Sequence, residues 1–432
     1  MAFRCENCGH KSAKWMGFCP QCGVSVPLAE DTGAGLESAR PAESVGLKTA
    51  SDRPFERQPT GWGEIDRVLG GGIVAGSVLL LGGEPGVGKS TLLLQVAGSL
   101  ARLGESTLIA SAEESADQVA LRASRLGITD DTISLVSDDD VDAIVALAQR
   151  DRPRLLIVDS IQTVGAREIG SAPGGVSQVR ESASRLARLA KTTGVAVVLV
   201  GHVTKDGGLA GPKMLEHMVD VVLYLEGDPD RGLRVLRSIK NRFGATHVSG
   251  MFDMRSEGLT EVDDPSKVFL DGWEPEVPGT VIYPAVEGRR SILVEVQALV
   301  SKTKQPQPRR SIRGLDPTRV NQVLAVLDRH SPVKLHNKEV YVNVVGGWRL
   351  DEPGCDLAIA LAVASSYSNH PLGRLAAWGE IGLAGEVRSI PMETRRLEEL
   401  DRMGLERRIA PIGGEPLRLR HALERAGLIG DA

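Results

Sequence analysis

Nine consecutive residues, Gly83-Glu84-Pro85-Gly86-Val87-Gly88-Lys89-Ser90-Thr91, have the makeup needed to hold a chain of phosphates. They contain the full pattern GxxxxGK[ST]. Glycines let backbone N–H groups turn inward around phosphate oxygens, and a helix starting there adds the partial positive charge of its N-terminus. Lys89 is expected to reach the β and γ phosphates, and Ser90 to hold Mg²⁺. An apolar strand pattern, Val78 to Leu81, precedes the motif, and a helical pattern, Lys89 to Leu100, follows it. A chance glycine-rich turn does not bring both flanks with it. ATP hydrolysis is the chemistry these residues predict.

Hydrolysis needs further groups, and candidates exist. Arg154-Leu155-Leu156-Ile157-Val158-Asp159 reads as an apolar strand ending in a carboxylate. Downstream of a P-loop, Asp159 is expected to orient Mg²⁺ through its waters. Glu113 and Glu114 close another strand pattern, in Ser111-Ala112-Glu113-Glu114-Ser115. Glu113 is the expected general base; Glu114 reads as a helix N-terminal carboxylate facing the dipole. His202 follows the apolar run Val195 to Val200, where a polar group could sense the γ-phosphate.

A second chemistry sits at the start of the chain. Cys5-x2-Cys8 and Cys19-x2-Cys22 are two CxxC knuckles. Four thiolates so spaced can wrap one tetrahedral Zn²⁺ with no open position, a structural site and not a catalytic one. Gly9 and Gly23 follow the second cysteine of each knuckle, where a tight turn relaxes the backbone. So short a segment has no core, so metal binding would largely be its folding energy. DNA contact and protein docking both remain open as its use.

These sites need elements to hold them. The chain has 432 residues, enough for two or three domains. Lys and Arg number 51 against 56 Asp and Glu, so any basic surface must be local. Aromatics are 3%, which argues against base stacking on aromatic platforms. The first residues lack the apolar core of a signal peptide, and no apolar run is long enough to span a bilayer. The expectation is a cytoplasmic protein without membrane contact. Residues 1–26 read as the zinc ribbon, and 27–59, poor in large apolar residues, as a linker. Residues 60–270 alternate strand patterns with helical ones at Ala116 to Leu126, Val141 to Arg150 and Val176 to Lys191. That alternation predicts an α/β fold, a parallel sheet covered on both faces. A Pro-rich crossing, Trp273 to Gly279, precedes a further α+β block at 280–432.

The chain resembles the RadA (Sms) family of bacterial DNA-repair proteins, a branch of the RecA-like ATPases. Carrying the resemblance are the four cysteines, the approach Leu69-Gly70-Gly71-Gly72-Ile73-Val74-Ala75-Gly76-Ser77, the run Val158-Asp159-Ser160-Ile161-Gln162-Thr163, and residues 210–220. Most specific is Lys240-Asn241-Arg242-Phe243-Gly244, placed after a strand expected at Leu233 to Ser238. On a strand Lys240 and Arg242 would point the same way. The resemblance implies that both act in trans on a neighbour's ATP within a hexameric ring. It also implies that loops Ala166 to Arg180 and Thr204 to Lys213 line a pore holding single-stranded DNA. The activity it implies is that of a DNA-dependent ATPase moving along single-stranded DNA. Such an enzyme would promote branch migration on branched DNA intermediates alongside the RecA recombinase. An ATP-driven switch without translocation is the alternative.

The last block resembles the proteolytic domain of Lon proteases, through Val342-Asn343-Val344-Val345-Gly346-Gly347, Asp351-Glu352-Pro353 and Gly385-Glu386-Val387. The nucleophile position holds Gly354, and near Thr394 stand Glu393, Arg395 and Arg396 but no Lys. Without nucleophile or base there is no covalent route, so the block is expected to be an inactive scaffold and not an ATP-dependent protease. Cys355, one residue late, reads as a small buried residue. Lys302, Lys304, Arg309, Arg310 and Arg313 form a basic stretch that suits either a phosphate-contacting loop or a solvated one.

Overall fold

The computed structural model describes residues 2–5, 7, 8, 10–12, 14–27, 29–31, 46, 56–170, 172, 174–201, 214–227, 232–246, 248–288 and 290–430. The chain forms two compact units, Met1–Phe55 and Glu56–Ala432.

In the first unit, strands Lys11–Ser12 and Ala29–Asp31 flank Ala2–Arg4 in a small antiparallel sheet. The sheet thus draws on residues beyond the expected end of the ribbon at 26. Cys5 and Cys19 are its buried centre, with Phe3, Met16 and Val24 packed around them. Sulfur stands where a larger domain would have a core.

The second unit is built on a nine-stranded sheet. Its strands are β1 (Val78–Gly83), β2 (Thr107–Ser111), β3 (Ile133–Val136), β4 (Leu155–Asp159), β5 (Ala196–Val200), β6 (Val221–Gly227), β7 (Leu233–Asn241), β8 (Ser249–Arg255) and β9 (Gly258–Glu261). Their order is β9-β8-β7-β6-β1-β5-β4-β2-β3. Strands β6 through β3 in that order run parallel. The sheet is not wholly parallel, as expected from sequence, because β7, β8 and β9 add on antiparallel. The reason is connection length. Only two residues, Ser256 and Glu257, join β8 to β9, and so tight a link joins antiparallel neighbours only.

Side-chain alternation divides the central strands between two cores. Leu79, Leu81, Val198 and Val200 pack on one face, and Val78, Leu80, Val197 and Leu199 on the other. Helix α1 (Gly63–Leu69) and α2 (Lys89–Arg102) cover the first face. Helices α4 (Val141–Asp151) and α5 (Val176–Thr193) cover the second, through Ile144, Ala148, Val179 and Leu186. Helix α3 (Ala116–Arg125) opens on a capping box between Ser115 and Gln118. Arg57–Gln58 pair with Ile73–Val74, so the end of the expected linker belongs to the folded unit.

A six-stranded sheet follows, made of β10 (Thr280–Glu287), β11 (Arg290–Lys302), β12 (Arg310–Arg313), β13 (Lys338–Val344), β14 (Leu375–Ala377) and β15 (Arg407–Ile409), in the order β12-β13-β11-β10-β14-β15. Helix α6 (Asp356–Ser368) is buried along every residue from Asp356 to Ser365. The two sheets share one core: Val235, Met251, Val262 and Phe269 pack with Val281, Leu293 and Trp348. Buried Glu64 of α1 accepts the Met251 N–H at 3.0 Å and faces Arg290 of β11 at 3.4 Å.

Candidate nucleotide site and metal centre

Strand β1 delivers the chain into the phosphate motif, and α2 leads it away. Gly88, the residue before α2, has φ 114°, which a side chain would oppose. The loop borders a cavity of about 270 Å³. Gly86, Gly88, Lys89 and Thr91 line it from the loop, and Ser111, Glu113 and Asp159 from the ends of β2 and β4. The parallel strands therefore place their C-terminal ends around one cleft, as open α/β sheets do.

Lys89 is 5% exposed, and its Nζ donates to the carbonyls of Gly83 at 2.8 Å and Glu84 at 3.0 Å. Burial pushes its pKa below the ordinary lysine value, and the charges of Asp159 and Glu113 oppose that shift. The Ser90 hydroxyl donates to Asp159 Oδ2 at 2.6 Å. This pair of oxygen groups suits a hard cation such as Mg²⁺. The two glutamates differ in their partners. Ser160 Oγ donates to Glu113 Oε1 at 2.5 Å. Glu114 instead pairs with Arg122 of α3, and its N–H donates to Ser111 Oγ at 3.1 Å. Nothing in the local sequence marks Ser160 or Arg122 for these contacts. Ser160 directly follows Asp159, but its partner lies 47 residues back and only the fold joins them.

Lys240 and Arg242 do not line this cavity. Strand β7 extends to Asn241, so the motif begins on the strand and not after it, as the sequence had suggested. Lys240 Nζ donates to the carbonyls of Glu216 at 2.6 Å and Val219 at 2.8 Å. Arg242, with its side chain 52% exposed, pairs with Asp220 at 3.1 Å. Buried Asn241 ties the turn down, donating to the Leu69 carbonyl at 3.2 Å and accepting the Phe243 N–H at 2.9 Å. Arg57 reaches the same place, donating to the carbonyls of Gly70 at 2.6 Å and Phe243 at 2.5 Å.

His202 and the loop Thr204 to Lys213 lie outside the described residues. Of the other expected loop, residues from Val176 on form the first turns of α5. Buried Gln178 fixes the loop's base, accepting the Ala166 N–H at 2.8 Å and donating to the Ile169 carbonyl at 2.9 Å. Arg167 pairs with Asp140 at 2.8 Å.

The four cysteine sulfurs all lie within 4.8 Å of one another. Cys5 and Cys22 stand 3.7 Å apart, and Cys8 and Cys19 3.5 Å. A tetrahedron with bonds of ~2.3 Å to zinc has edges of about 3.8 Å, so the set fits the ion. The Val24 N–H and the Asn7 amide hold the Cys22 thiol down at about 6. At Cys8 the His10 N–H also lowers the pKa, but desolvation and the neighbouring sulfurs outweigh it and drive the thiol up to about 12. Sulfurs this close resist ionising together unless a cation sits among them.

Beside the C-terminal sheet, Gly354 is enclosed in the turn Pro353–Cys355. A Cβ there would lie 2.3 Å from Ile390 Cδ1 and 2.8 Å from the Tyr283 hydroxyl. Arg396, 1% exposed, donates to that hydroxyl at 3.1 Å and to Glu352 at 2.7 Å. Cys355 is buried, as expected, and burial pushes its thiol far up. Among the described residues no helix is long and apolar enough to cross a membrane.

Two family models match the segments that carry these residues. The family described as Rubredoxin metal binding domain matches residues 3–25, and the family described as AAA domain matches 51–208. DNA repair protein RadA of Pseudomonas aeruginosa is 46% identical to this chain, over 96% of this chain and 93% of its own length. The protein of that name from Bacillus subtilis is 45% identical, over 95% and 92% respectively. A solved KaiC-like protein of Pyrococcus horikoshii, 20% identical, covers 48% of this chain and 100% of its own at a TM-score of 0.41. At 45–46% identity over 95–96% of its length to the two relatives of that name, the chain belongs to the RadA family of DNA repair proteins.

Proposed function

We propose that this protein hydrolyses ATP in response to DNA and uses the energy to move along single-stranded DNA. In this role it promotes branch migration and the processing of branched recombination intermediates. The observation that carries the reading is the convergence of Lys89, Ser90, Asp159 and Glu113 on one cavity at the strand ends. Backbone N–H groups of residues 86–91 bind the phosphates, and Lys89 exchanges its carbonyl partners for β and γ oxygens. Ser90 and Asp159 hold Mg²⁺, which when bound neutralises charge on the phosphate oxygens. Glu113, steadied by Ser160, orients the attacking water and takes its proton. Glu114 serves α3 through Arg122 and is not the base.

Lys240 and Arg242 act across an interface, on the nucleotide of a neighbouring copy. Their absence from the cavity of their own chain supports this. Arg242 has a partner it can release, since Asp220 holds a side chain that is half open to water. A guanidinium placed on the transferring phosphoryl group stabilises its developing charge. The copies form a hexameric ring, with 166–180 and 204–213 facing the DNA. The RecA recombinase is the proposed partner, and His202 reports the γ-phosphate to the second of these loops. The cysteine cluster binds Zn²⁺. Residues 280–432 form a Lon-like scaffold without protease activity, since position 354 has neither a nucleophile nor room for one.

The test is steady-state ATP hydrolysis with and without single-stranded DNA, for wild type and Arg242→Ala. DNA should raise wild-type turnover, and the variant should lose about 10³-fold while still binding nucleotide. Turnover indifferent to DNA would remove the translocase reading and leave an ATP-driven switch.

A further inference from the structure

Strand β7 starts beside the phosphate loop, and its second residue is a buried arginine with no part in the chemistry above. Arg234 is 4% exposed. Its Nε donates to the Val87 carbonyl at 2.9 Å, and its Nη1 to the Leu233 carbonyl at 3.0 Å. The space for it is made by Gly227, its partner on β6. A Cβ on Gly227 would lie 2.4 Å from Arg234 Cδ and 3.1 Å from Nε. The Val87 side chain is itself buried, at 3% exposure. Val87 is therefore gripped both at its side chain and at its carbonyl.

The carbonyl of Val87 and the N–H of Gly88 belong to one planar peptide group. In a trans peptide they point in opposite directions. Arg234 holds the carbonyl toward β7, which turns the Gly88 N–H the other way. Gly88 lines the cavity. Its φ of 114° and ψ of 15° belong to a residue with little steric preference of its own, so an outside hold must fix the peptide plane. A guanidinium on the carbonyl also polarises the peptide and makes its N–H a stronger donor.

We infer that Arg234 is a positioning residue of the nucleotide site: it aims the Gly88 N–H at the phosphate chain and so sets the affinity for nucleoside di- and triphosphates. The inference rests on the reading of the cavity as a phosphate site. Arg234 acts through one peptide group that serves ground state and transition state alike. Its loss therefore raises KM and leaves kcat in place, unlike the loss of Arg242.

The experiment uses the full chain as wild type, Arg234→Lys, Gly227→Ala and Lys89→Ala. Arg234→Lys keeps the charge and loses the fork; Gly227→Ala displaces the guanidinium and also crowds the Leu233 carbonyl, 2.7 Å from the added Cβ, so Arg234→Lys is the cleaner of the two. The dissociation constant of fluorescent ADP, competition by AMP, and KM and kcat for ATP are measured on variants shown to be folded by circular dichroism. Both Arg234→Lys and Gly227→Ala should weaken ADP about five- to twentyfold, the loss of roughly one well-aimed hydrogen bond. KM for ATP should rise in step, with kcat nearly unchanged. AMP, which offers no β-phosphate, should compete as it does in wild type. Wild-type ADP affinity in both variants would overturn the inference, as would equal weakening of ADP and AMP, which marks general damage. Failure of wild type to bind ADP, or wild-type binding by Lys89→Ala, would instead bring down the reading of the cavity itself.

Discussion

The regions around the two large sheets of the second unit hold comparable sets of charged groups and treat them in opposite ways. Around the nucleotide cavity, Lys89, Ser90, Glu113 and Asp159 face a space that a phosphate chain can enter. Lys89 is held there by neutral carbonyls, which a phosphate can replace. Against the C-terminal sheet the charges, carried on helices and a loop, are closed against each other. Arg396 is locked among Tyr283, Pro284 and Glu352. Asp356, 0% exposed, takes a forked grip from Arg319 and the Ile381 N–H at 2.9 Å. Buried charge alone therefore does not mark an active site. The mark is charge whose partners can be exchanged for a ligand's.

That contrast can be broken at several points. Of the changes that test the contrast, Lys89→Ala should have the largest effect, lowering ATP turnover about 10²- to 10³-fold with little change in thermal midpoint. A large fall in stability with turnover per folded molecule intact would place Lys89 with the structural charges. Arg396→Met should do the reverse. It leaves Glu352 without its cation, with the Val286 N–H still donating at 3.1 Å, and should cost about 2–4 kcal/mol in denaturant unfolding, less than a fully buried pair because Glu352 is partly open. ATP hydrolysis by the folded fraction should persist. Gly354→Ser should cost about 1–3 kcal/mol by overpacking against Ile390 and Tyr283. It should also yield no casein degradation; any proteolysis would end the reading of an inert block.

The smallest effect concerns the seam between the sheets, where Asp264 meets Arg402 at 2.7 Å. Arg402 first, and the Lys267 N–H after it, hold the Asp264 carboxyl at about 2. A depressed folded pKa means stability that is present above the unfolded value of ~3.9 and lost as pH falls toward 2. Arg402 is half exposed, so the pair should contribute under about 1 kcal/mol. Asp264→Asn should remove that small acid-dependent part of the unfolding free energy; an unchanged pH profile would show the pair to be idle.

What could be read in the sequence follows from distance along the chain. The phosphate motif and the cysteine knuckles are contiguous patterns with fixed geometry, and each lies where it was expected. Asp159 was legible because an apolar run ended on it. The antiparallel strands β8 and β9 were missed, since their mixed polar and apolar residues give no clear period. Arg234 was hidden for another reason. It reads as one of many charges in a strand, and its partner Val87 lies 147 residues away. Arg396 likewise reads as a surface helix residue until β10 and Glu352 close over it. Nothing local distinguishes a buried arginine from a solvated one.

Gly354 sets a limit on the history open to this chain. Glycine and serine codons can differ by one base, so a nucleophile at this position is a single genetic step away. In the folded protein it is several steps away. Ile390 would have to shrink, the Tyr283 hydroxyl, which accepts from Arg396, would have to move, and a base would have to be supplied near Thr394. Each of these changes taken alone only loosens the core. A hydroxyl placed at 354 would thus cost stability before it could contribute to catalysis, so one base in the gene is a long way in the fold.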